Sequence, residues 1–207
     1  MGRYIPTPAF FTFDPIIRSP EILLPAISLS KKGEHGELIE LVGGDGVGLD
    51  FTEGKGIELD IGTILFLCTA QWQDGNGAPR PLGSAHSRER LGRFPSEDGN
   101  AIEYLLNFVV VHEGSELQAM LEKISRRFDL MLNERGMVND GADGMRVLGW
   151  IDREEVISLR MEIESGKWSV GSEETFDGGV QDAFRHLLVF LRSAGRRRCG
   201  MMMRGHR

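Results

Sequence analysis

From Ile157 to Glu164 apolar and polar residues alternate without a break. Ile157, Leu159, Met161 and Ile163 would take one face, and Ser158, Arg160, Glu162 and Glu164 the other. A period of two marks a strand with one buried face and one wet face. Ser165-Gly166 reads as a tight turn, and Trp168 and Val170 resume the alternation, so the spacing predicts a hairpin over 156–170. A helix is expected next. Asp177 is its candidate N-cap, Val180, Ala183, Phe184, Leu187, Leu188 and Leu191 form its stripe, and Gly195 stops it. This succession fixes a kind of fold and supplies no catalyst.

Upstream, Leu105–Val111 is a short apolar run and reads as a buried strand. Ser115-Glu116-Leu117-Gln118 has capping-box spacing, and Leu117, Met120, Leu121, Ile124, Phe128 and Met131 follow at helical intervals, with Gly136 placed to end the helix. After the polar turn Asn139–Gly144, Met145–Ile151 reads as a strand. Residues 101–194 are thus expected to form an α+β part: strand, helix, strand, hairpin, helix.

The N-terminal half reads differently. Residues 1–25 contain Pro6, Pro8, Pro15, Pro20 and Pro25 together with Phe10, Phe11 and Phe13. Proline disfavours helix interiors and central strands, and the aromatics need cover, so an extended arm laid on the surface is expected. Residues 26–72 read as β-rich, with candidate strands at 26–30, 37–42, 47–51, 56–61 and 63–72 joined by Gly-rich links. Residues 73–100 are polar and rich in Gly and Pro, a loop or linker between the halves. The fold class expected is α+β: an N-terminal β-rich part, then a mixed or antiparallel sheet with two helices packed on one face.

The formal net charge of −7 is unevenly spread. Arg192, Arg196, Arg197, Arg198, Arg204 and Arg207 follow Leu191 with no acid among them, so the rest of the chain is strongly acidic. An acidic body disfavours nonspecific nucleic-acid binding and suits a basic partner. Only the basic tail, 195–207, could touch nucleic acid or an acidic lipid surface, and it has no aromatics for base stacking and no amphipathic period; it reads as disordered. No apolar run has the length of a membrane span, and the start lacks the continuous apolar segment of a secretory signal, so a cytoplasmic location is expected. Two cysteines cannot make a disulfide framework. Cys68 reads as a buried small hydrophobe, and the arginines around Cys199 would favour its thiolate if they sit close.

No complete catalytic or metal motif is present. Gly43-Gly44-Asp45-Gly46-Val47-Gly48 has neither phosphate-loop spacing and reads as a hairpin turn. Asn139–Gly144 lacks the third and twelfth ligands of a calcium loop. His112, closing the run 105–111, is a candidate catalytic group if Asp140 or Asp143 comes near it. Asp182 and His186 share a helix face, as a metal-ligand pair without a third member. Ser84-Ala85-His86-Ser87 holds a serine and a base on a segment without evident fixed geometry. Arg80, Arg88, Arg90 and Arg93 could grip a phosphate or an acidic partner, and Arg160, Glu162 and Glu164 would line the open sheet face. Trp72, Trp150 and Trp168 read as core cover. The function expected is a non-catalytic protein–protein interaction module, immunity- or adaptor-like, needing no cofactor and no metal. The alternatives are an enzyme acting on a phosphate-bearing substrate through His112 and nearby aspartates, and a structural subunit of an assembly.

Overall fold

The computed structural model describes residues 10–42, 69–71, 80–134 and 145–206. The fold is α+β, with seven α-helices and two antiparallel sheets among these residues. Strand β1 (Phe10–Ile16) is followed by a 3-10 turn at Pro20–Ile22, α1 (Leu23–Lys32) and α2 (His35–Val42). Then come α3 (Ala85–Leu91), α4 (Ala101–Phe108), β2 (Val109–Val111), α5 (Leu117–Asn133) and β3 (Met145–Ile151). The chain continues through α6 (Arg153–Ser165), β4 (Trp168–Val170), α7 (Gly179–Arg197) and β5 (Gly200–His206).

The main sheet has three strands in the order β1-β5-β3. Its centre is β5, the segment expected to be a disordered tail. The run Cys199 to Met203 is buried throughout, and that apolar burial outweighs the disorder suggested by the flanking arginines. Ile16 faces Gly200 and Phe10 faces His206 across one ladder, while Ile151 pairs with Met201 across the other. Strand alternation gives the sheet two covered faces. Phe11, Phe13, Met201 and Met203 join the larger core with residues of α4, α6 and α7, including Leu105, Leu159, Phe184 and Phe190. Ile16, Val147, Trp150 and Met202 meet α1, α2 and the end of α5 on the other side. The expectation of helices on a single face is therefore corrected, because both faces of β5 are apolar and each needs cover. At the β3 edge α5 lies against Gly149: a Cβ there would stand 2.0 Å from the Lys123 carbonyl oxygen, so only glycine admits the helix so close.

Segment 153–165 is helix, not the expected first strand of a hairpin. Its residues satisfy both periods, and the local signals decide. Asp152 accepts from the Glu155 amide at 2.8 Å while the Glu155 carboxylate accepts from the Asp152 amide at 2.9 Å, a complete capping box. Val156, Leu159 and Ile163 recur at helical spacing and are buried, whereas Ile157 and Met161 are 42% and 61% exposed. Gly166 ends the helix in the left-handed region at φ 67°. Trp168–Val170 is a strand as expected, but its partner is β2, with Val111 opposite Trp168.

Other boundaries move for similar reasons. Most of the run 105–111 belongs to α4, since the Asn100 side chain caps it by accepting from the Ile102 amide at 2.8 Å; only Val109–Val111 is strand. The candidate strands at 26–30 and 37–42 are the helices α1 and α2; those at 47–51 and 56–61 lie outside the described residues, and of the one at 63–72 only residues 69–71 are described, with Ala70 in an isolated antiparallel bridge to Ile16. Part of the expected arm is strand β1, where Pro15 is tolerated because β1 is an edge strand. Part of the expected loop 73–100 is α3, capped by Ser84. Helix α5 falls where its stripe predicts, although Ser115 serves it by accepting from the Leu117 amide rather than through a capping box. Helix α7 keeps its predicted buried stripe, starts after Gly178 rather than at Asp177, and runs past Gly195 to Arg197.

Candidate functional site

Three chain segments converge at one end of the main sheet. The antiparallel register brings the C-terminal ends of β1 and β3 together with the start of β5. Around this junction lies a cleft of about 300 Å³. Ile16, Cys199 and Gly200 contribute its lining from the strand ends, and Arg18, Arg153 and Arg198 are three basic residues of that lining. Arg18 follows β1, Arg153 opens α6, and Arg198 joins α7 to β5.

None of these three arginines forms an ion pair with a carboxylate among the described residues. Arg18 Nη1 donates to the Leu41 carbonyl oxygen at 2.6 Å, which fixes its side chain, and its other donors make no hydrogen bond to a described residue. Asp152 and Glu154 also border the cleft. Asp152 is engaged as the α6 cap, so it is held by the helix and not by an arginine. Glu155, one turn further, completes that cap. Burial works against its carboxylate, but bonds from Lys123 and the Asp152 amide and the charge of Arg127 outweigh it, and its pKa lies below the ordinary value.

Arg198 has an unusual backbone. At φ 53° and ψ 43° it is the single non-glycine residue with positive φ among the described residues. Its amide donates to Gly195 O at 3.2 Å and the Cys199 amide to Ala194 O at 3.2 Å, so the position closes α7 in the manner usual for glycine. An L-residue there costs roughly 1 kcal/mol or more. Arg198 is exposed and lines the cleft. Cys199 beside it is buried, and burial pushes its thiol above the ordinary value despite the charge of Arg197. The expectation of a favoured thiolate is thus corrected: desolvation of the sulfur outweighs the arginines.

At the opposite end of β5 a second polar group is built differently. Asp14 is 2% exposed and takes a two-pronged contact from Arg204, through Nε to Oδ2 and from Nη2 to Oδ1 at 3.2 Å. Burial raises the Asp14 pKa and Arg204 opposes that rise. His206, stacked on Phe10 at 4.5 Å and in contact with Arg204, has its pKa pushed down to about 4, first by burial and then by Arg204 and Arg88. This group ties β1 to β5 and resembles a structural pair.

A third group joins two features separate in the sequence. His86 on α3 and His186 on α7 meet with ring centroids 5.5 Å apart, and Asp182 Oδ1 lies 3.6 Å from His186 Nε2. Burial lowers the His186 pKa; Asp182 opposes this, and His86, Arg90 and Arg185 reinforce it. Among the described residues no group of three His, Cys, Asp or Glu side chains could hold a metal ion.

The other expected site residues scatter. His112 is exposed on the turn after β2, and its ring makes no hydrogen bond or ion pair among the described residues; Asp140 and Asp143 lie outside them. Arg88 lies over the Phe10 ring at 5.4 Å, Arg90 and Arg93 are exposed on and after α3, and Arg80 accepts through its carbonyl from Arg197 at 2.6 Å. Arg160, Glu162 and Glu164 do not share one face: Arg160 and Glu164 stand four apart on one side of α6, and Glu162 is turned about 200° away from each. Glu164 accepts from Arg192 at 3.0 Å and pairs with Arg160 at 3.6 Å, whereas Glu162 accepts from Ser115 at 2.7 Å near the start of α5. Of the cleft arginines only Arg198 stands out in the sequence, as part of the basic tail; Arg18, Arg153 and Arg198 stand some 135 and 45 positions apart.

No family model matches the chain, and no curated protein and no solved structure matches it. No helix among the described residues is long and apolar enough to cross a membrane.

Proposed function

We propose that this protein is a non-catalytic interaction module that recognises an acidic group of a partner protein in the cleft between β1, α6 and the α7–β5 turn. The observation that carries this reading is the convergence of Arg18, Arg153 and Arg198 on one cleft without carboxylate partners among the described residues. Cations left unpaired in a concave site favour an incoming anion over a surface salt bridge, which would have little worth for stability. The negative charge of the chain as a whole adds selectivity, since it repels extended polyanions and leaves the cleft as a local positive spot.

Affinity co-purification from source cells, run in parallel with wild type and the Arg18→Glu/Arg153→Glu double variant, tests the reading. A specific partner retained by wild type and lost from the folded double variant supports it. Identical retention by both proteins, or retention by neither, contradicts it.

A further inference from the structure

Resting on that reading of the cleft, we infer that the group it takes is a phosphoryl monoester on a side chain of the partner, and not a carboxylate. The number and origin of the donors carry the choice. A carboxylate has two oxygens on one edge, and a single guanidinium fork saturates it. A phosphorylated side chain offers three acceptor oxygens and a charge of about −1.5 to −2 at neutral pH. Here three arginines, from three separate elements, line about 300 Å³ of space, more cationic residues than one carboxylate needs. The anchoring of Arg18 on Leu41 O lowers the ordering cost of binding. Arg198 stands where the backbone favours glycine, which is accounted for if its guanidinium is needed.

The helix N-terminus of α6 plays no part in this inference, since Asp152 already occupies its cap. Two further features of the rim shape the ligand. Ile17 is 61% exposed and lines the cleft, so an apolar residue next to the phosphorylated one gains a contact. Glu154 is exposed at the same rim and opposes the incoming charge. Replacing it with glutamine is therefore expected to tighten binding a few-fold.

Calorimetric titration of the full chain tests the inference. The probes are a short peptide with phosphoserine followed by leucine, its unphosphorylated and glutamate versions, and inorganic phosphate. The phosphopeptide is expected to bind about tenfold or more tightly than the glutamate peptide. It should also outbind inorganic phosphate, and should weaken about tenfold in Arg153→Gln and in Arg198→Gly. Arg198→Gly is a stringent variant, because glycine suits the backbone there and folding is preserved. Equal binding of the glutamate peptide, dependent on the arginines, would overturn the phosphoryl inference and leave the interaction module standing. Equal binding of inorganic phosphate and phosphopeptide would overturn the side-chain source. Binding by none of the probes would overturn the inference, and retained partner capture by wild type would then show whether the broader reading survives. Unchanged phosphopeptide affinity in both arginine variants would remove the cleft from the account.

Discussion

The two ends of β5 both gather arginines, and they treat them in opposite ways. At the C-terminal end Arg204 is largely buried and grips Asp14 in a fork. At the N-terminal end Arg18, Arg153 and Arg198 surround a cleft with no carboxylate bound to them among the described residues. A charge taken out of water must be paired, and breaking such a pair is costly because the survivor is stranded. A charge in an open cleft is solvated and can stay unpaired until a ligand arrives. The same residue type therefore serves structure at one end of a strand and, in the proposed account, recognition at the other.

The largest expected effect lies at the buried end. Asp14→Ala leaves Arg204 without its counter-charge and is expected to cost about 3–5 kcal/mol in chemical denaturation, whereas removing both charges with Asp14→Leu/Arg204→Met should recover most of that loss. A double variant as unstable as the single one would show that the pair does more than satisfy itself. By contrast, Arg153→Gln, at an exposed cleft residue, should stay within about 0.5 kcal/mol of wild type.

Helix α6, which supplies Arg153 to the cleft, gives the next effect. Leu159→Ala should cost about 2–5 kcal/mol and Met161→Ala less than about 0.5, because Leu159 is buried and Met161 is 61% exposed. Similar losses at both positions would restore the strand reading, in which the two share a buried face.

Acid separates the ends as well. The folded-state pKa of His206 is about 4 against 6.5 for the free side chain. Between these values the unfolded chain binds a proton that the folded chain refuses. Stability is therefore fully kept above pH 6.5 and falls as the pH drops towards 4. His186, also lowered, acts in the same direction. Unfolding midpoints measured from pH 7 to pH 4 should decline less steeply in His206→Asn than in wild type; parallel curves would deny His206 that role.

How much of this was legible in the sequence varies with the kind of signal. The α5 stripe, the β3 run and the α7 stripe were readable, because periodicity and burial agree there. The segment 153–165 misled because residues 157–163 satisfy a period of two, while Val156, Leu159 and Ile163 satisfy a helix; Asp152 and Glu155, at capping-box spacing, and Gly166 were the deciding signals. The central strand was obscured by arginines on both sides, yet Cys199 and Met201–Met203 are an apolar run of strand length. The cleft was not legible at all. Arg18, Arg153 and Arg198 line one cleft only because the register of β1, β3 and β5 aligns the strand ends, and register is a tertiary fact.

The central claim is that Arg198 is kept for its side chain against the preference of its backbone. The stability of Arg198→Gly by denaturant unfolding tests this most directly. Relief of the left-handed strain, less the added flexibility of glycine in the unfolded chain, predicts a variant more stable than wild type by about 0.5–1 kcal/mol. A variant less stable than wild type would show that the arginine is a structural element of the α7–β5 turn, and would contradict the account.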